Sequence, residues 1–190
     1  MFSALDLPIF RQRVSKLSVE EYHQLGEFNK NHKRTELIRG IVIEKMSKPP
    51  LHCTSASLLE RTLNRQLPPG FCLRREDPLT LRDSEPEPDI AIVAGTHRDY
   101  IHAHPSTAFL VAEVAVTTFA ADRAMAELYA EARVPEYWIV LPQEGLVEVH
   151  LHPEGSRYRE MRTFTRAEEI VSQSVPGLRL ALGELFAGLP

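Results

Sequence analysis

The feature that most constrains this chain is Ala108-Phe-Leu-Val-Ala-Glu-Val-Ala-Val116, an apolar run with one carboxylate, Glu113, inside it. A continuous run of Val, Leu and Ala reads as a strand buried on both faces of a sheet. A charge in such a run is costly unless it is paired, hydrogen-bonded or bound to a metal. The fold must therefore either open the strand to solvent at Glu113 or build a site around it.

The 190 residues suffice for a domain with a sizeable core. No apolar run approaches the roughly 20 residues that span a bilayer. Met1 to Phe10 lacks a basic segment followed by a long apolar one, so neither membrane insertion nor secretion is expected. Cys53 and Cys72 have no metal-ligand spacing and read as packed, reduced thiols of a cytoplasmic protein. The formal net charge of −4 argues against an extended basic nucleic-acid-binding surface but not against a local basic groove. Arg61, Arg65, Arg74, Arg75 and Arg82 read as a solvated face.

Residues 1–17 read as a loosely held arm and 18–190 as one domain. Ser18-Val-Glu-Glu21 fits a capping box, and a helix follows to about Glu27. Asn29 to Lys33 is a polar connection. Arg34–Ile38 and Ile41–Met46 flank Arg39-Gly40 as a hairpin. Ala56, Leu59, Leu63 and Leu67 place a helix over His52–Leu67, stopped by Pro68-Pro69-Gly70. Strands are expected at Phe71–Arg75, Leu79–Arg82, Asp89–Ala94 and Phe109–Val116. Thr118 is the expected N-cap of a helix carrying Ala121, Ala124, Met125, Leu128, Tyr129 and Ala132 as its apolar stripe. Glu136–Leu141 reads as another buried strand. Leu146–His152 and Arg157–Phe164 read as an antiparallel pair across Pro153-Glu-Gly155. The tail from Val175 to Phe186 reads as a last strand and a short helix. Strands and helices alternate only in part, which predicts a mixed sheet with flanking helices, an α/β fold of the α+β mixed kind.

Asp89 begins one strand and Glu113 lies near the end of another. If the two strands are antiparallel neighbours, the acids converge. Two carboxylates with backbone carbonyls nearby form a hard-oxygen site suited to Mg²⁺ or Mn²⁺. Such an ion acidifies bound water and neutralises charge on a phosphodiester. The plainer reading of Asp89 alone is a turn residue after Pro88.

Four segments then become recognisable: Glu36-Leu-Ile-Arg-Gly40, Glu87-Pro-Asp-Ile-Ala-Ile-Val93, Val111-Ala-Glu-Val114, and Tyr129-Ala-Glu-Ala-Arg-Val-Pro-Glu-Tyr-Trp-Ile-Val140. Together they resemble the Uma-type family, described as putative restriction endonucleases, of the PD-(D/E)XK nuclease superfamily. The likeness extends from about Ser18 to Phe186. It implies a restriction-endonuclease-like fold and a Mg²⁺- or Mn²⁺-dependent endonuclease acting on DNA, with homodimerisation common among such proteins. It assigns Asp89 and Glu113 as catalytic metal ligands, the Val114 carbonyl as a further ligand and Glu36 as an additional upstream acid. The bland alternative for Glu36 is an exposed strand residue paired with Arg34 or Lys45.

The chain departs from that pattern in one respect. The superfamily uses a lysine near the second acid to orient water and stabilise developing charge. The usual place, two residues after Glu113, holds Ala115. The family's other place, on the helix after Asp122, reads Arg123-Ala-Met-Ala-Glu127. Arg123, Lys45 and Lys48 remain as sources of positive charge. A nuclease fold that binds or assembles without cutting is therefore the alternative function. A third reading rests on His102-Ala-His104 and His150-Leu-His152, which place paired imidazoles where Zn²⁺ could bind, although spacing supplies no third ligand and solvated histidines are the simpler account. His52 is placed to line the same cleft as Asp89. Tyr137 and Trp138 read as core.

Overall fold

The computed structural model describes residue 9, residues 13–26 and residues 34–190. The polar connection at Asn29–Lys33 and most of the expected arm lie outside the described residues. Helix α1 (Val19–Gly26) starts at the expected capping box, with Ser18 N–H donating to Glu21 Oε2 at 2.7 Å and Glu21 N–H to Ser18 Oγ at 3.2 Å. Strands β1 (Thr35–Ile38) and β2 (Ile41–Glu44) form the expected hairpin. Its turn runs through Arg39 and Gly40 with φ of 54° and 78°, the left-handed pair that matches strand twist. A Cβ on Gly40 would lie 2.7 Å from Lys16 Cβ, and Leu17 N–H donates to Gly40 O at 3.0 Å, so the turn is where the preceding chain docks.

Helix α2 (Pro50–Asn64) begins at Pro50 rather than His52 and ends at Asn64 rather than Leu67. Proline suits the first helical turn, where its missing N–H has no intrahelical partner to lose. At the exit, the Gln66 side chain bonds the backbone of Arg179 in both directions and draws the chain out of the helix.

The centre is one sheet in the order β3-β4-β5-β6-β7-β8, comprising β3 (Phe71–Arg74), β4 (Ile90–Ala94), β5 (Leu110–Val114), β6 (Glu136–Leu141), β7 (Leu146–Glu154) and β8 (Arg157–Thr165). Only β5 and β6 run parallel, and helix α3 (Phe119–Glu131) makes their crossover. The β7–β8 turn is Gly155-Ser156, later than expected, because Pro153 still pairs with Tyr158 at the strand end. Beyond β8, β9 (Glu169–Val171) and β10 (Arg179–Ala181) form a small ribbon that leads into α4 (Leu182–Leu185). The tail reading missed β9.

The two sheet faces carry separate cores. Helix α2 and the C-terminal segment cover one, where Leu59, Leu63, Trp138, Leu180 and Phe186 meet. Helix α3 covers the other, with Leu128, Tyr129, Tyr137 and Ile139. Burying these side chains at about 25 cal/mol per Å² is the main drive for the layering.

The strand expected at Leu79–Arg82 does not form. Leu79 N–H donates to Pro86 O and Leu81 N–H to Ser84 O, both at 2.9 Å. The returning segment contains Pro86 and Pro88, which have no N–H to give back, so no ladder develops. Leu79 and Leu81 are still buried, which explains their apolar pattern. Cys72 is buried as expected, but Cys53 is exposed on α2. Among the described residues no helix is long and apolar enough to cross a membrane.

Candidate active site at the ends of β4 and β5

Asp89 stands just before β4, and Glu113 is the penultimate residue of β5. The antiparallel register Ile90↔Ala112, carried one pair further, sets the two acids opposite each other. Asp89 N–H donates to Glu113 Oε2 at 3.0 Å, and Val114 N–H donates to Asp89 Oδ2 at 2.8 Å. A strand residue points its N–H and C=O at the same neighbour, so the Val114 carbonyl faces the β4 side where that ladder has ended.

Each acid has its own supporting shell. Lys48, from the β2–α2 connection, places Nζ 2.6 Å from Asp89 Oδ1. His52, in the first turn of α2, places Nε2 2.9 Å from Asp89 Oδ2. An ionised carboxylate only accepts, so Nε2 carries the proton of that bond. His52 Nδ1 is buried and has no partner among the described residues. Burial by itself would raise the pKa of Asp89; the hydrogen bond and charge of His52, with the charge of Lys48, overcome that and hold it down to about 2.

Glu113 points to the α3 side, where Tyr129 donates its hydroxyl to Oε1 at 2.9 Å. Burial, then the charges of Asp89 and Asp122, push Glu113 well above the ordinary carboxylate range, against the pull of its two donors. Asp122, in the first turn of α3, is raised to about 6, chiefly by burial and opposed by the Thr118 hydroxyl. That hydroxyl donates to Asp122 Oδ2 at 2.6 Å, which is why Thr118 makes no side-chain cap on the helix backbone.

Glu36 stands on β1 at the rim. Its Oε2 accepts from Glu87 N–H at 3.2 Å and lies 3.8 Å from Lys45 Nζ. Among the described residues no hydrogen bond joins it to Asp89 or Glu113. Lys45 instead donates to Glu87 O and Oε2, both at 3.1 Å. Arg123 is not at the site: its Nε donates to Glu148 Oε2 at 3.0 Å, a second guanidinium nitrogen contacts Oε1, and the group lies 4.4 Å from the centre of the Phe119 ring.

The histidine pairs do not build a metal site among the described residues: His150 Nε2 lies 3.7 Å from Glu148 and His152 Nε2 3.6 Å from Glu160, two different carboxylates. His104 Nδ1 is 3.1 Å from an Arg74 guanidinium nitrogen, and His102 is exposed. His150 is buried, not solvated, between the rings of Tyr137 and Tyr158, while His152 is exposed. Among the described residues no three His, Cys, Asp or Glu side chains form a metal-binding group. Arg74 also departs from the solvated face expected of it: it is buried, 5.3 Å from the centre of the Tyr100 ring.

Two residues escaped sequence reasoning. The Tyr129 hydroxyl was hidden because its ring fits the apolar stripe of α3. Glu76 carries its carboxylate 3.2 Å from Lys48 Nζ and 3.1 Å from Arg34, on a backbone with φ of 53°. That conformation favours Gly, Asn or Asp, so nothing in the residue type marks it.

The donor set fits a hard divalent cation. Mg²⁺ is commonly held by one or two carboxylates, with water and substrate completing the shell. Asp89 and Glu113 supply two, and the Val114 carbonyl faces the same gap. Each carboxylate oxygen has two lone-pair directions, so the hydrogen bonds described leave capacity for a cation. Burial is the first cause that raises Glu113 and Asp122, and the smaller part, repulsion from neighbouring acids, is what such a cation would relieve.

Two acids thus converge where two antiparallel strands meet, on a mixed α/β sheet with helices on both faces. The chain belongs to the Uma2 family, described as "putative restriction endonuclease", whose family model matches residues 19–183. Among solved structures it is similar to a chain described as a "putative nuclease belonging to DUF820" from Anabaena variabilis ATCC 29413, with a TM-score of 0.71 and 17% identity over 90% of this chain and 98% of that one. At that identity the likeness shows the fold. A comparison with curated proteins finds no match.

Proposed function

We propose that this protein is a Mg²⁺- or Mn²⁺-dependent endonuclease that hydrolyses DNA phosphodiester bonds at Asp89 and Glu113. The observation that carries the reading is the opposition of these acids across the β4–β5 ladder, with Glu113 held by the Asp89 N–H and Asp89 held by the N–H of Val114, the residue after Glu113. Family membership supports a nucleic-acid substrate. Asp89, Glu113 and the Val114 carbonyl would hold the ion, with Glu36 as an outer acid on the rim. When bound, the ion would supply an acidified water and neutralise charge on the phosphoryl group. Lys48 and His52 keep Asp89 ionised, and Tyr129 orients Glu113 from behind. Burial among apolar residues strengthens each of these electrostatic contacts.

The test is plasmid cleavage with Mg²⁺ or Mn²⁺, comparing wild type with Asp89→Ala after contaminating nuclease is removed. Metal-dependent cutting by wild type alone supports the site; equal cutting by both excludes it.

A second reading, a nuclease fold that binds without cutting, is favoured by one observation: Lys48 and His52 already occupy the two oxygens of Asp89, at 2.6 and 2.9 Å. It predicts DNA retention in Mg²⁺ with no cleavage and no difference between wild type and Asp89→Ala in binding.

A further inference from the structure

We propose that Lys48 is the catalytic cation of this site, delivered from the β2–α2 connection instead of from β5 or α3, and that Glu76 is the residue that positions it. This inference rests on the nuclease reading above. Charge developing on a phosphoryl oxygen is stabilised by a positive donor beside the acids, and the two places where the family resemblance would put a lysine hold Ala115 and Ala126.

The other cations near the site are committed elsewhere. Arg123 is paired with Glu148, Lys45 with Glu87 and, at 3.8 Å, with Glu36 on the rim, and Arg34 with Glu76 and Glu87. Lys48 alone among the described lysines and arginines reaches either acid, at 2.6 Å from Asp89 Oδ1.

Its placement is built. Glu76 Oε1 lies 3.2 Å from Lys48 Nζ, and the same carboxylate takes Arg34 at 3.1 Å. Glu76 is held in the left-handed region with φ of 53°, its N–H donating to Pro88 O at 3.1 Å. A glutamate stays in that conformation only when its surroundings enforce it, and such residues gather at functional sites. Pro49 and Pro50 follow Lys48 directly and limit its backbone freedom. Asp89 and Glu76 engage two of the three ammonium N–H donors, which leaves one for a substrate oxygen.

In the hydrolysis, the water oxygen forms a new bond to phosphorus and one ester P–O bond breaks, its electron pair leaving on the alkoxide oxygen. One water proton ends on that alkoxide and the other stays on the new phosphate monoester. Lys48 remains an ammonium throughout and donates to the phosphoryl oxygen on which charge develops.

The test measures single-turnover cleavage and Ca²⁺ binding by calorimetry for wild type, Lys48→Ala, Lys48→Met, Lys48→Arg, Glu76→Gln and Asp89→Ala. Lys48→Met keeps the packed stem should the alanine variant fail to fold. Lys48→Ala or →Met is expected to cut about 100-fold more slowly, with Ca²⁺ binding kept or tightened several-fold because a competing cation has left Asp89. Lys48→Arg is expected to recover about tenfold of that loss, since it restores charge but not the shape of an ammonium. Glu76→Gln is expected to lower the maximal rate with KM unchanged. Full activity in the Lys48 variants with a dead Asp89→Ala would overturn the proposal while leaving the nuclease site standing. Parallel loss of Ca²⁺ binding and activity in Lys48→Met would assign Lys48 a structural role and also overturn it. Equal cutting by wild type and Asp89→Ala would remove the reading beneath it.

Discussion

The backbone N–H of Asp89 donates to the side chain of Glu113 at 3.0 Å, so the second acid's side chain is held by the first residue's peptide, while the Asp89 carboxylate holds the next residue's N–H, that of Val114. The framework role of residue 89 and its proposed ligand role can therefore be separated by substitution.

Asp89→Asn keeps the peptide donor and the side-chain size. It is expected to reduce cleavage at least 100-fold while Glu113 stays in place. It should also lower stability by roughly 2 kcal/mol at neutral pH, the linkage value of a carboxyl held near 2 against 3.8 when unfolded. The folded pKa is depressed, so this contribution is present above about pH 4 and is lost as pH falls toward 2. Urea unfolding of both proteins at pH 7 and pH 3 checks it; an undiminished gap at pH 3 would contradict the assigned cause.

Asp122 carries the opposite sign. Its folded pKa is raised to about 6, so its contribution favours folding below the unfolded value of 3.8 and fades as pH rises through 6. Glu113 acts in the same direction. Metal-free Asp122→Asn should therefore lose less stability than wild type between pH 5 and pH 7.5. Mg²⁺ should raise the wild-type Tm more at pH 7.5 than at pH 5, because protons compete for the same carboxylates. Thermal melts with and without Mg²⁺ read both differences.

Tyr129→Phe removes the donor to Glu113 Oε1 and leaves that buried oxygen short of a partner. A loss of about 1–2 kcal/mol is expected from chemical denaturation. The acid limb of the pH–rate profile should move to higher pH, because the ionised form of Glu113 has lost one of its two donors. An unmoved limb would mean that Glu113 ionisation does not limit the rate.

Arg123→Ala should act on stability and not on chemistry. It strands Glu148, which is 5% exposed, and removes the guanidinium from Phe119. A destabilisation of about 1 kcal/mol is expected, discounted because the Arg123 side chain is about half exposed. Cleavage should stay within about threefold of wild type, since only losses near 1.4 kcal/mol make a tenfold change. A much larger rate loss would return Arg123 to the site.

The meeting of the two acids was legible because it needs only local signals. A carboxylate in an apolar run marks β5, Pro88-Asp89 marks the start of β4, and antiparallel pairing brings them together. The capping box of α1 and the turn at Arg39-Gly40 were legible for the same reason. Lys48 was legible only as one of three possible cations and Glu76 not at all, because the contacts of Lys48 with Asp89 and with Glu76 join the β2–α2 connection to segments far along the chain. No periodicity encodes such a crossing. The run Leu79-Thr-Leu81 misled because burial, which it has, is only half of what a strand requires. The other half is a partner with free N–H groups, and Pro86 and Pro88 deny it.

The central claim is that Asp89 and Glu113 together hold a divalent cation, and anomalous diffraction from crystals grown with Mn²⁺ tests it most directly. The account predicts one strong peak bridging the two carboxylates within reach of the Val114 carbonyl. A peak elsewhere, or none at Mn²⁺ concentrations that support cleavage, would contradict it.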